Sequence, residues 1–233
     1  MAQPFHLLFI CAGNTCRSPM AQGMLQQLLE RRLGSEADMF RVDSAGIGGR
    51  KGSPAARQAV RVLKRRGIDL TGHASKRVTE DIARGADLIL TMSKGQRDAV
   101  GDISPAAEGR VFTLKEFVAA CESRRGDLAA SGGSREMIRE ALVKGIDRAA
   151  QLRKLGEAIE EIGGKLTSTL RKGGGLDRSH LGTFDIADPF GGSAADYESC
   201  AQEIEELLER LVEYLAEGAD ETGRGRISGE TAP

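Results

Sequence analysis

Tryptophan is absent from this chain of 233 residues, and tyrosine (two), histidine (three) and cysteine (four) are nearly so. Each shortage excludes something. Cys11, Cys16, Cys121 and Cys200 are too few and too irregularly placed for a disulfide framework in a chain this long, and no pair has zinc-finger spacing. His6, His73 and His180 stand singly, so neither a metal site nor a cofactor is expected. An excess of one charge is missing as well: 33 basic against 34 acidic side chains leave a formal net charge of -1. No global field draws such a chain to nucleic acid or to an acidic membrane, and any recognition of anions must be local. Finally, no apolar run approaches the roughly 20 residues that span a bilayer. Phe5 to Cys11 is too short for a signal-peptide core and has no basic flank before it. The expectation is a cytoplasmic protein with no nucleic-acid or membrane partner.

What is present is a chain of 40% hydrophobic and 29% charged residues, long enough to bury a core without disulfides or metals. Four short continuous apolar runs read as strands buried on both faces: Phe5 to Ile10, Phe40 to Ser44, Ala86 to Thr91 and Arg110 to Leu114. Helical spacing alternates with them. Met20, Met24, Leu25, Leu28 and Leu29 recur at steps of three and four after Pro19 and before Gly34. A second helix is expected from Ser53-Pro54 to Gly67 with Ala56, Val60 and Leu63 on one face, and a short one between Ser93 and Val100. The clearest runs from Ala194 to Ala216, with Ile204, Leu207, Leu208, Leu211 and Leu215 as its stripe. Such alternation implies an α/β fold with a parallel sheet and helices on both faces.

Two stretches stand outside the alternation. Residues 218–233 have almost nothing to bury and are expected to form a disordered tail. Residues 121–183 carry nine apolar positions from Ile138 to Leu166 at spacings of three and four, interrupted by Gly145, Gly156 and Gly163-Gly164. They read as an inserted helical arm, with 138–166 suited to a partner helix or to self-association. The parent domain is then 1–120 with 184–217.

The chemistry concentrates in Cys11-Ala12-Gly13-Asn14-Thr15-Cys16-Arg17-Ser18-Pro19, between the first strand and the first helix. Backbone N–H groups from Ala12 to Cys16 can curl about one centre with the helix N-terminus aimed at it, which makes an oxyanion cradle. Arg17 can return beside Cys11 and offer its planar fork to two oxygens of a tetrahedral anion. The same positive potential favours the thiolate, the nucleophilic form of Cys11. A thiolate below a bound phosphoryl group attacks phosphorus in line to give a phosphocysteine, and Ser18 can hydrogen-bond the sulfur as leaving group. Such transfer needs a proton donor, for which Asp188, in the stiffened Asp188-Pro189-Phe190 loop, is the candidate. Cys16 has two readings, a small buried loop residue or a disulfide partner that protects Cys11 under oxidant.

Cys11 to Met20, Asp43-Ser44-Ala45-Gly46, Ala86 to Met92 and Asp185 to Asp196 together resemble the low-molecular-weight protein-tyrosine-phosphatase family. The resemblance implies a four-stranded parallel sheet flanked by helices, phosphorylated protein substrates, Cys11 as nucleophile, Arg17 as phosphate clamp and Asp188 as general acid. It also implies that Ser18 partners the sulfur and Asn14 pins the loop. Thr15, combined with Phe190 followed by Gly191-Gly192, is similar to the bacterial protein-arginine phosphatases, where a hydroxyl replaces a branched aliphatic side chain. Phosphoarginine is therefore the expected substrate, with phosphotyrosine as the alternative. An arsenate reductase would need a redox cysteine relay near the third strand, and residues 70–100 contain no cysteine. A module that binds anions without turnover would have no use for Asp188.

Overall fold

The computed structural model describes residues 4–107, 109–119 and 184–216. The expected helical arm at 121–183, with Cys121, and the expected tail at 218–233 lie outside the described residues. In chain order the elements are β1 (Phe5–Cys11), α1 (Arg17–Leu33), β2 (Phe40–Gly46), α2 (Arg57–Arg65), α3 (Glu80–Arg84), β3 (Leu88–Thr91), α4 (Lys94–Ile103) and β4 (Val111–Thr113). A helical stretch at 114–119 follows, and the long α5 (Ala194–Ala216) comes last.

The four strands form one sheet in the order β2-β1-β3-β4, and every neighbouring pair is parallel. Ile10 of β1 lies between Ala45 of β2 and Thr91 of β3. The twofold alternation of a strand explains why β1 reads as a continuous apolar run. Leu7 and Phe9 enter a core with α1, α2 and α5, whereas Leu8 and Ile10 enter a second one that includes Ala83 of α3 and Val100 of α4. Both layers of the sheet are thus covered. Each fully buried Leu or Phe here contributes about 1.5–3 kcal/mol relative to exposure.

Connections leave β1 toward β2 on one side and, later in the chain, toward β3 and β4 on the other. The strand order therefore reverses at the carboxyl end of β1, where Cys11 lies, and such a crevice is where open α/β sheets bind ligands.

Several elements depart from the sequence reading, including the helix at 114–119, which begins at Leu114 where the sequence reads as strand. Helix α2 begins at Arg57 rather than near Ser53, because Ser53 is held in a turn by Arg50 and in turn accepts from Ser75 N–H at 2.8 Å. Its buried residues are Ala59, Val62 and Leu63; Ala56 and Val60 are only half-buried against the same core. Strand β3 starts at Leu88 instead of Ala86, and the Asp87 carboxylate accepts the His6 backbone N–H at 2.8 Å. Helix α3, five residues long, is too short for periodicity to reveal and rests on a Thr79 cap.

Candidate active site

β1 delivers Cys11 to the base of a cavity of about 340 Å³ whose wall includes the loop from Ala12 to Arg17. The loop cannot run straight into α1. It turns at Asn14, whose φ of 54° is left-handed, a conformation Asn tolerates better than most residues. That turn directs the Asn14 N–H to the Cys11 Sγ at 3.2 Å. Helix α1 then starts after Cys16, whose side chain does not cap the helix N–H groups, and has no acid in its first turn. Free N–H groups and the positive end of the helix are left facing the cavity, which is the chemistry of an anion site.

Asn14 is held from four directions. Its amide Nδ2 donates to Ser18 Oγ at 3.0 Å and to Ser44 Oγ at 2.9 Å, its Oδ1 accepts from Lys76 N–H at 2.9 Å, and its carbonyl accepts from His73 Nε2 at 2.7 Å. Ser44 passes the link on to Gln22 at 2.7 Å, and Ser75 Oγ donates to the Gly13 carbonyl at 3.0 Å. The single Ser18 hydroxyl proton is within reach of both Cys11 Sγ at 3.0 Å and the Ala45 carbonyl at 3.2 Å. A thiolate, as the stronger acceptor, would draw it to sulfur.

Arg17 is 4% exposed. Nη1 donates to the Ile186 carbonyl at 3.0 Å and Nη2 to the Asp188 carboxylate, while Nε is buried without a partner. A buried guanidinium N–H left unpaired is costly, and an anion in the cavity would satisfy it. The Asp188 loop is tied to the sheet, since Ile186 N–H donates to the Met92 carbonyl at 2.8 Å beyond the end of β3. Asp188 Oδ1 accepts from Phe190 N–H at 3.2 Å, and Gly191, at φ 79°, completes the turn that leaves Phe190 73% exposed at the rim. Gly192 is small for a different reason: a Cβ there would lie 2.7 Å from the Asp196 carboxylate.

All ten residues singled out in the sequence meet here. Cys11, Ala12, Gly13, Thr15, Cys16, Arg17, Asp188 and Phe190 line the cavity, and Asn14 and Ser18 stand behind the sulfur. Others went unseen. Gly48 also lines the cavity, and His73 grips the loop through the Asn14 carbonyl. Tyr197 brings its hydroxyl to 3.3 Å from Cys16 Sγ. Burial pushes the Cys16 thiol up, against the Tyr197 hydrogen bond that lowers it, and burial pushes Cys200 up to about 12. In both, burial disfavours the thiolate form. Among the described residues no cluster of His, Cys, Asp and Glu could hold a metal ion, and no helix is long and apolar enough to cross a membrane.

The low molecular weight phosphotyrosine protein phosphatase family model matches residues 6–174. A protein-arginine-phosphatase of Geobacillus stearothermophilus is 36% identical over 152 residues, which cover 64% of this chain and 95% of the relative. A probable low molecular weight protein-tyrosine-phosphatase of Ralstonia nicotianae is 37% identical over 153 residues, 64% of this chain and 97% of its own. The solved structure of the YwlE arginine phosphatase from Geobacillus stearothermophilus superposes with a TM-score of 0.60 at 28% identity, covering 96% of this chain and all of that one. A cysteine-to-serine variant of a YwlE arginine phosphatase, solved with a phosphorylated active-site serine, gives 0.60 at 25% identity over 94% of this chain and 99% of its own. With a parallel sheet in this order and a cysteine loop cradling an anion site at its switch point, the chain belongs to the low molecular weight phosphotyrosine protein phosphatase family.

Proposed function

We propose that this phosphatase removes the phosphoryl group from phosphoarginine in proteins, with Cys11 as nucleophile. The loop N–H groups and the Arg17 Nε receive the phosphate oxygens, which compete with Asp188 for the guanidinium. Asp188, 43% exposed at the cavity, serves as the general acid. The Cys11 thiolate attacks phosphorus, the P–N bond breaks, and the Asp188 proton goes to the departing guanidine. A water then attacks the phosphocysteine and gives its proton to Asp188; the S–P bond breaks, and the Ser18 hydroxyl and Asn14 N–H stabilise the thiolate released. The solved relative with a phosphorylated active-site serine supports a covalent intermediate at the corresponding step.

The observation that carries the choice of substrate is Thr15 in the cavity wall. Its hydroxyl offers a hydrogen-bonding group to a polar guanidinium, where a branched aliphatic side chain would offer bulk and an apolar face to a phenol ring. The protein-arginine-phosphatase relative at 36% identity supports the same reading. A specific observation favours a second one: the exposed Phe190 ring at the rim could stack on a phenol. Hydrolysis of phosphoarginine and phosphotyrosine peptides by one preparation decides between them, with kcat/KM expected to favour phosphoarginine. Thr15→Ile should shift the ratio of the two kcat/KM values toward phosphotyrosine by about tenfold or more, and an unchanged ratio restores the tyrosine reading.

A further inference from the structure

Between Asp43 and Asp69 the chain has no acidic residue and seven basic ones: Arg50, Lys51, Arg57, Arg61, Lys64, Arg65 and Arg66. In a chain of 33 basic and 34 acidic side chains, that asymmetry is local. Arg65 and Arg66 are taken up by Glu198 and Glu205 of α5. Arg50, Lys51, Arg57 and Arg61 are exposed and have no ion-pair partner among the described residues. Arg77, also exposed, lies beside them, since a Cβ on Gly49 would stand 3.3 Å from the Arg77 Cα.

This segment is bound to the phosphate loop at both ends. Gly48 lines the cavity and donates its N–H to the Ala12 carbonyl at 2.8 Å; Ala56 donates to the Thr15 carbonyl at 2.8 Å. Between them the Ser53 N–H closes a turn on the Arg50 carbonyl at 3.1 Å, which puts Arg50 and Lys51 in the turn. The Arg50 Cα is two residues from that of Gly48, at most about 7.6 Å away. Arg57 follows Ala56 directly and opens α2, whose first turn contains no acid. A cation at that end of a helix is disfavoured by the dipole, and an arriving anion relieves it.

We propose that this rim receives carboxylate side chains flanking the phosphorylated residue, so that the enzyme selects sites in acidic surroundings of its protein substrates. The inference rests on the cavity being the phosphatase site and not on which phosphorylated side chain enters it. Contacts of this kind are exposed, so they are weak individually and screened by salt. They act on capture of the substrate rather than on the chemical step.

The test uses peptides with a central phosphoarginine, and a matching phosphotyrosine series, flanked by Asp and Glu, by Ser and Gln, or by Lys. At low ionic strength the acidic flanks should raise kcat/KM about tenfold over neutral ones, mainly through KM, as expected of two or three exposed charge pairs. The difference should shrink at high salt and vanish in Arg50→Glu/Lys51→Glu/Arg57→Glu. Para-nitrophenyl phosphate, which has no flanks, shows whether that variant is intact; if it is not, the single substitution Lys51→Gln carries the test by reducing the preference. Cleavage of the phosphotyrosine series in place of the phosphoarginine series would overturn the substrate reading above, while the flank preference in that series still decides this one. Equal kcat/KM for acidic and neutral flanks in the unmodified protein, or a preference that survives charge reversal, would overturn it.

Discussion

Asn14 is the non-glycine residue at positive φ among those described, and its side chain holds the loop that its backbone turns. Asn14→Ala therefore does two things. It places a less tolerant residue in the left-handed region, at about 1–2 kcal/mol, and it leaves Ser18, Ser44 and the Lys76 N–H without their partner. Asn14→Gly removes the first effect and keeps the second. If the network positions the sulfur, both variants should lose about 10- to 100-fold in kcat, with the melting temperature lowered more in the Ala variant. Recovery of kcat by glycine alone would show that Asn14 matters for backbone conformation only. The residues from Cys11 to Pro19 could be read in the sequence because a phosphate loop is local, with its glycine, nucleophile and helix start adjacent in the chain. His73 and Ser75 act on that loop from about 60 residues away. A histidine in an Asp-Leu-Thr-Gly-His-Ala-Ser stretch carries no mark of this in a single sequence.

At the scale of elements, the end of β2 is packed onto the phosphate loop so closely that only glycine fits. A Cβ on Gly46 would stand 2.7 Å from the Asn14 nitrogen and 2.8 Å from the Ala12 carbonyl oxygen, both backbone atoms. Gly46→Ala should force the loop away from the sheet, with stability reduced by about 1–3 kcal/mol in urea melts and kcat reduced at least as much as in Asn14→Ala. Asp43, three residues earlier, joins β2 to two other parts of the fold. It accepts from His6 Nε2 of β1 at 3.0 Å, from Arg41 Nε at 2.9 Å and from Lys76 Nζ at 2.9 Å. The His6 hydrogen bond, with those of the two cations, holds this carboxyl well below the usual carboxylate range despite partial burial. A depressed folded value means stability that is present above the unfolded value and lost as pH falls toward the folded one. Asp43→Asn should thus cost about 1–2 kcal/mol at pH 7, and the gap to the unmodified protein should narrow progressively below about pH 4. A gap independent of pH would assign the loss to packing. Element boundaries were the least readable feature of the sequence, because Ser53 and Asp87 are claimed by tertiary hydrogen bonds that override their local preference.

For the whole molecule, strand and helix alternation was enough to imply the sheet, since β1 and β3 are buried on both faces and, apart from His6 and Thr91, carry only apolar side chains. The order of strands, and hence the switch point under Cys11, is set by which faces meet, which no periodicity records. The protein-arginine-phosphatase relative is matched over 95% of its length by 64% of this chain. Residues 121–183, read as an insertion, separate the 114–119 helix from the Asp188 loop in sequence, yet the two sides are joined in space. Lys115 Nζ donates to the Asp185 carbonyl at 2.9 Å and pairs with Glu203 of α5 at 2.5 Å, and Lys94 N–H donates to the Asp185 carboxylate at 2.8 Å. These contacts hold the Asp188 loop against described elements. Closure entropy grows only slowly with loop length, so the parent fold gains or loses little on that account. Replacing residues 124–180 by a short Gly/Ser linker should therefore leave a cooperatively folding enzyme with kcat on small phosphorylated substrates within about threefold of the full chain, as judged by urea melts and steady-state rates. Loss of folding would place the segment in the core. Retention of the fold with loss of kcat would place it at the active site, and a selective loss on protein substrates would make it a binding element for them.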